Sequence, residues 1–172
     1  MIRKLTESDW EKYQALRLYG LREAPMAFGA DPIVEESYTK QRVVESIKES
    51  AGSFAIGWFD EQENLLGVMR FFRETNRKTA HKGHIRGVYV HPKLRGQGIA
   101  TKLFLFLLAE ATGQTGLRQV HVAVNTENLS AKALYEKMGF VVYGREPAGL
   151  LVEGHFYDEL LLILQLEGFK SK

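Results

Sequence analysis

Arg95, Gly96, Gly98 and Ala100 are the residues of this chain whose types and spacing most directly suggest chemistry. They stand in Val88-Tyr89-Val90-His91-Pro92-Lys93-Leu94-Arg95-Gly96-Gln97-Gly98-Ile99-Ala100, where an extended apolar run passes through a glycine-rich turn into a long apolar segment of helical composition. The first turn of a helix has backbone N–H groups without intrahelical acceptors, and the aligned peptide dipoles add partial positive charge there. Such a junction is an anion cradle, and a phosphate fits it. Gly96 and Gly98 let the backbone turn tightly and approach a bulky diphosphate, while Arg95 adds a permanent charge with a planar fork of donors. The pattern is neither the dinucleotide G-x-G-x-x-G nor the nucleotide G-x-x-x-x-G-K-[ST].

A second motif follows about thirty residues later: Asn125-Thr126-Glu127-Asn128-Leu129-Ser130-Ala131-Lys132-Ala133-Leu134-Tyr135-Glu136-Lys137-Met138-Gly139-Phe140. Arg95, Gly98 and Ala100 resemble the acyl-CoA pyrophosphate loop of the GNAT superfamily of N-acetyltransferases, and the second segment resembles that family's N-x-x-A-x-x-x-Y-x-x-x-G-F helix. By element order the likeness runs from about residue 54 to 166.

The resemblance implies an α/β, mixed α+β fold around a mostly antiparallel sheet of about six or seven strands, with helices on both faces. It implies acetyl-CoA as co-substrate, no metal, and acetyl transfer to a primary amine of a small molecule or a peptide N-terminus by direct attack in a ternary complex. The sheet would splay after the strand that precedes the cradle, with the pantetheine arm in the gap and the main chain of Val88 and Val90 bonded to it, as an added strand would be. The diphosphate would lie on amides from Arg95 through Gly96, Gln97, Gly98 and Ala100 to Thr101. Tyr135 would stand against the sulfur as a proton donor; taken alone, it is an aromatic at helical spacing packing under the sheet. Asn128 is a good helix cap that could also meet the cofactor. Lys132 could reach a phosphate or simply be solvated.

Transfer to an amine requires that the ammonium, of pKa about 10, lose a proton first. Several members of the family place a glutamate on the strand before the cradle, but this segment reads His81-Lys82-Gly83-His84-Ile85-Arg86-Gly87-Val88. His84, with a pKa suited to neutral operation, is the substitute named here; His121 on the next strand and water are the alternatives. His91, before Pro92, shapes the turn. The acceptor pocket is expected from residues 27–31 and 154–159, with Asp31, Glu153 and Asp158 as acids that could attract an ammonium group.

Positioning these groups falls to the surrounding elements. Residues 2–5 read as a strand, and Asp9 caps a helix to about Tyr19 with Gly20 just past its end. Residues 35–50 read as one charged helix. The runs 54–59 and 65–72 form a hairpin across the polar turn at 60–64. A strand from about His84 to Val90 then leads to a helix from Gly98 to about Thr112, apolar almost all round and so in need of cover on most sides. A buried strand at 119–125, a helix at 128–138 closed by Gly139, and strands at 140–144 and 155–166 complete a mixed sheet with helices on both faces.

Composition bounds the rest. The 172 residues, 45% hydrophobic, suit one domain over the whole chain. No cysteine is present, which excludes disulfides, thiolate zinc sites and a cysteine nucleophile. No signal-peptide core or membrane-length apolar run stands out, so a cytoplasmic protein without a membrane partner is expected. The net charge of +2 implies no polyanion surface by itself. Residues 70–95 nevertheless hold eight Lys or Arg against the single acid Glu74, whereas residues 1–63 hold twelve acids against eight bases. That basic stretch reads as a positive rim for CoA, as a solvated hairpin loop, or, more weakly, as a nucleic-acid surface around Arg73, Arg77 and Lys78. A homodimer is compatible with these features. The rival reading from another class is a non-catalytic acyl-CoA-binding sensor, for which the missing strand glutamate is the best support.

Overall fold

The computed structural model describes residues 1–166. A seven-stranded sheet runs in the order β1-β2-β3-β4-β5-β7-β6, with β1 (Ile2–Lys4), β2 (Ser53–Phe59), β3 (Leu65–Arg73), β4 (Lys82–Val90), β5 (Gln119–Asn125), β6 (Val141–Val152) and β7 (His155–Gln165). Only β4 and β5 pair in parallel; every other neighbouring pair is antiparallel. Helices α1 (Trp10–Glu23), α2 (Pro32–Glu36) and α3 (Lys40–Ile47) precede β2, while α4 (Ile99–Thr112) and α5 (Leu129–Lys137) flank β5.

Alternation along the strands sorts side chains onto two buried faces. Phe54 and Ile56 join Phe104, Leu107 and Phe140 in one core, on the side of α4 and α5. Ala55, Phe59 and Val68 join Tyr13, Leu16, Val43 and Ile47 in the other, under α1 and α3. Both faces of the sheet are therefore covered, as the mixed-sheet reading requires.

Three boundaries and one burial pattern differ from the sequence expectation. Helix α1 does not stop at Tyr19 but continues to Glu23, ending just ahead of Pro25. Gly20 lies inside it because a Cβ there would come 3.0 Å from the Tyr89 ring, so this glycine serves close helix-to-sheet approach and not a cap. The single helix expected over 35–50 is two, broken at Ser37 and Tyr38 and restarted by Thr39, whose hydroxyl accepts from the Arg42 amide at 3.3 Å. Strand β6 runs twelve residues instead of five, with irregularities between Val142 and Gly144 and between Glu146 and Leu150. As the sheet's edge it tolerates Pro147, which a central strand would not. Helix α4 buries Leu103, Phe104, Leu107, Leu108 and Ala111, but Leu105 remains exposed, so it is covered on one side and not on most.

Candidate functional site

The cradle is built locally. Gly98 precedes α4 in the left-handed conformation (φ 74°) with no side-chain cap, and Gly96 has φ 75°. An added Cβ at either glycine would meet nothing within 4 Å, so the space above both is open. The Arg95 amide is already bonded to the Pro92 carbonyl at 3.2 Å and leaves the expected donor set. From Gly96 to Thr101 no amide donates to another described residue; the first helical bond outside α4 proper is Lys102 N–H to the Gly98 carbonyl, 3.1 Å. A run of free N–H groups at a positive helix end, with open space before it, matches what a diphosphate requires.

Arg95 does not point its charge into that space. Its Nη1 and Nη2 engage both oxygens of Glu23 at 3.0 and 2.6 Å, and Nε donates to the Val90 carbonyl at 3.1 Å. Glu23 also accepts from the Tyr89 hydroxyl at 2.9 Å. The arginine thus fastens the loop to the end of α1, and Glu23 is held below the usual carboxylate range first by Arg95.

Strands β4 and β5 pair only from Lys82 to His84 against Gln119 to His121. Beyond that point they diverge, and the rest of β4 has no neighbour on that side. The His91 amide bonds back to Leu66 on β3, so by alternation Tyr89 faces β3 while Val88 and Val90 direct their N–H groups into the gap. A register shift against β3 falls at Gly87 and Val88, where Gly87 has φ 64°, a value suited to glycine.

A cavity of about 650 Å³ opens from this gap. Its walls include Val88, Asn128 and Tyr135 together with His84, His121, Arg70, Arg86, Glu146 and Glu159. Ala27, Phe28, Gly29 and Ala30 close one side. Their loop is tied to the end of β5 by buried Asn125, whose Nδ2 donates to the Met26 carbonyl at 3.2 Å.

Tyr135 packs edge-on to Phe104 in the core. It is 4% exposed, its hydroxyl has no hydrogen-bond partner among the described residues, and burial pushes its phenol well above the ordinary value. It remains a protonated phenol at every working pH. Asn128 caps α5 by accepting from the Ala131 amide at 3.1 Å. Lys132 pairs with Glu136 on the same helix at 3.0 Å.

His84 Nε2 lies 2.9 Å from Glu74 Oε1, and its ring stacks on Phe72 and on His121. Burial lowers its pKa; Glu74, in turn, opposes that by favouring the imidazolium. With Nε2–H donated to Glu74, Nδ1 keeps a free lone pair. His121 has its Nε2 engaged by the Gln119 side-chain amide at 3.0 Å, and burial followed by the neighbouring His84 lowers its pKa.

The acids expected at the acceptor pocket are elsewhere engaged. Asp31 caps α2 through the Ile33 amide at 2.7 Å. Asp158 is held by Arg145 and by the Ala148 amide at 2.8 Å. Glu153 sits in the β6–β7 turn with φ 49°. The carboxylates that do line the cavity are Glu35, Glu146 and Glu159. Sequence reasoning missed these, together with Arg17 and the Glu74 partner of His84, because strand register and the packing of α2 on α1, not local pattern, bring them together. The basic run at 70–95 flagged Arg70 and Arg86 but could not say which way they face.

Comparison with known proteins gives the following. The family model described as "Acetyltransferase (GNAT) family" matches residues 8–140. The thialysine N-epsilon-acetyltransferase of Mus musculus is 30% identical over 142 residues, covering 81% of this chain and 74% of that protein. The chloroplastic GCN5-related N-acetyltransferase 6 of Arabidopsis thaliana is 30% identical over 112 residues, 63% of this chain. The match takes in 38% of the Arabidopsis protein, so this chain spans well under two thirds of that relative's length. Among solved structures, an acetyltransferase of the GNAT family from Streptococcus pneumoniae superposes with a TM-score of 0.83 at 19% identity, over 96% of this chain and 99% of that one.

Proposed function

The chain belongs to the acetyltransferase (GNAT) family, and on that footing we propose that it moves an acetyl group from acetyl-CoA to a primary amine by direct attack within a ternary complex. The observation that carries this reading is the run of unbonded amides from Gly96 to Thr101 facing open space, set at the head of a strand whose other edge has lost its neighbour.

The residues fit the co-substrate at three points. The diphosphate is bound by the amides of Gly96, Gln97, Gly98, Ala100 and Thr101, with the left-handed glycines keeping the approach clear. The pantetheine amides are met by the Val88 carbonyl and by the Val90 N–H; the Val90 carbonyl is already occupied by Arg95. Arg95 contributes by holding the loop against α1, not by touching phosphate. Asn128 and Lys132 act from α5, the first chiefly as its cap.

The chemistry then needs a base, an oxyanion donor and an acid. His84, whose Nδ1 lone pair is free, takes the proton from the ammonium, and Glu74 fixes its tautomer. The amine nitrogen forms a bond to the thioester carbon, and the oxygen that gains charge is met by the N–H of Val88 at the strand irregularity. As the oxyanion collapses and the carbon–sulfur bond breaks, Tyr135 gives its proton to the departing thiolate, and the second proton lost by the amine nitrogen restores the phenol, which burial keeps neutral between turnovers. The strand glutamate whose absence favoured a non-catalytic sensor has a functional substitute in the Glu74–His84 pair.

Calorimetry with acetyl-CoA and a thiol-release assay over a panel of amines test the reading together. Micromolar binding with amine-dependent thiol release is expected. Purified, folded protein that neither binds acetyl-CoA nor releases thiol would overturn it.

A further inference from the structure

Two like-charged cross-strand pairs face one cavity. Arg70 of β3 lies directly opposite Arg86 of β4, and Glu146 of β6 lies directly opposite Glu159 of β7. All four line the cavity. Like charges opposed on neighbouring strands destabilise a sheet. Neither pair has a bonded counter-ion: among the described residues none of the four side chains makes a hydrogen bond or a close ion pair, Arg86 stacks over Phe72 at 4.9 Å, and its attraction for Glu159 acts only at longer range. Glu159 is half-buried, and its carboxyl is held above the ordinary range by burial and then by Glu146, with Arg86 opposing.

Arg17 of α1 adds to the cationic wall. Its Nε and Nη2 engage both oxygens of Glu35 at 2.9 Å, which cancels its net charge but leaves one nitrogen over. The side chain is 10% exposed, and Nη1 is buried without a partner. That nitrogen lies 3.6 Å from the place a Cβ on Gly87 would take, beside the point where β4 breaks register. A buried donor left without an acceptor costs about 1–3 kcal/mol, and such a cost is retained where a ligand supplies the missing oxygen.

We infer that the acceptor is a zwitterion, a small molecule whose primary amine lies within a few bonds of a carboxylate, as in a free amino acid. The carboxylate is received by Arg70 and Arg86 with the spare N–H of Arg17, and the ammonium by Glu146 and Glu159. One electroneutral ligand relieves both repulsions at once. A diamine would set its second ammonium against the arginines, and a peptide N-terminus has an amide where the carboxylate should be, leaving the guanidinium donors unpaired. This inference rests on the acetyl-transfer reading above and narrows it.

Thiol release from acetyl-CoA is measured for the common amino acids, each beside its carboxamide, with spermidine and a tripeptide amide in the same panel. At least one amino acid is expected to exceed its carboxamide in kcat/KM by about tenfold or more, since a site built around donors rejects the analogue that leaves them unpaired. Arg70→Gln with Arg86→Gln should lower that acid-to-amide ratio by a similar factor. Should the double variant fail to fold, Arg86→Gln alone, at an exposed position, carries the same readout. Carboxamides or spermidine used as well as amino acids, or a ratio unmoved by the arginine changes, overturns the inference. Calorimetry on the same preparation separates the two claims. Absent acetyl-CoA binding, or binding without any amine accepted, removes the acetyl-transfer reading and this one with it, whereas amine-dependent turnover without any preference for the carboxylate removes this one alone.

Discussion

Arg95 and Glu23, separated by seventy-two positions in sequence, close a two-point ion pair of 3.0 and 2.6 Å across the mouth of the anion cradle. The arginine that sequence pattern assigns to phosphate is thereby spent on anchoring the loop to α1. The pair is partly exposed, 48% on the Arg95 side chain and 30% on Glu23, so its direct stability contribution is about 1 kcal/mol or less. Glu23→Gln is expected to shift the melting temperature only slightly while raising the KM for acetyl-CoA several-fold. An unchanged KM would show that the loop is held without it.

The glycine before α4 separates binding from folding. Gly98→Ala introduces a Cβ at φ 74°, a left-handed conformation costing about 1–2 kcal/mol for an L-residue. The new methyl group also occupies the open space before the helix. Affinity for CoA should therefore fall about tenfold or more, beyond what the loss of stability explains, as calorimetry beside thermal denaturation will show.

Tyr135→Phe removes a hydroxyl that has no internal hydrogen bond. Stability should be essentially unchanged, since no internal bond is lost and the hydroxyl faces the cavity. Turnover should fall by about a hundredfold, the scale of a general acid, with acetyl-CoA affinity retained. Equal turnover in the two proteins rules out the proton-donor role.

His84 gives a pH prediction with a definite sign. Burial places its folded pKa below 6.5 despite Glu74, so the neutral, proton-accepting form predominates at neutral pH. At saturating substrates kcat should rise through a limb centred below pH 6.5 and then level. Glu74→Gln removes an influence that raises the pKa, so the limb moves to lower pH and the plateau drops as the base weakens. Stability carries the matching sign: the unfolded chain binds the His84 proton more tightly, so acidification below about pH 6.5 works against folding.

Acid sensitivity has a second source far from the cavity. Asp9, 5% exposed at its side chain, is clasped by Arg3 at 2.7 and 2.8 Å and by the Thr6 amide at 2.8 Å. Arg3 is the largest cause of a fall in its pKa from 3.8 to about 2. The stabilisation is present in full above pH 3.8 and disappears as pH falls toward 2, with a magnitude of about 2 kcal/mol. Asp9→Asn should flatten the stability profile across that window and cost a similar amount at neutral pH, both readable by urea denaturation.

What could be read before any coordinates were those features that depend on neighbours in sequence. The cradle is such a feature: two glycines, a preceding strand and a following helix define it within a dozen residues, and the amides of Gly96 to Thr101 stand free as that spacing requires. The Asn128 cap and the 54–72 hairpin are local in the same sense, and both form. Gly20 misled because a glycine near a helix end has two uses, and the ring of Tyr89, distant in sequence, decides between them.

The remainder depended on strand register, which assigns partners by geometry between segments that carry no signal of one another. Pairing sets Arg70 against Arg86 and Glu146 against Glu159, and the sheet's divergence after His84 turns both pairs toward one cavity. Tertiary packing likewise drew Arg95 to Glu23 and joined Glu74 to His84. The amino-acid sequence by itself therefore determined that free amides stand at the start of α4, because unbonded N–H groups and left-handed glycines are properties of a short stretch of chain. Only the folded sheet decided which charges surround the cavity beside it, because a charge acts on whatever lies within a few ångströms in space and not on what lies near it in sequence.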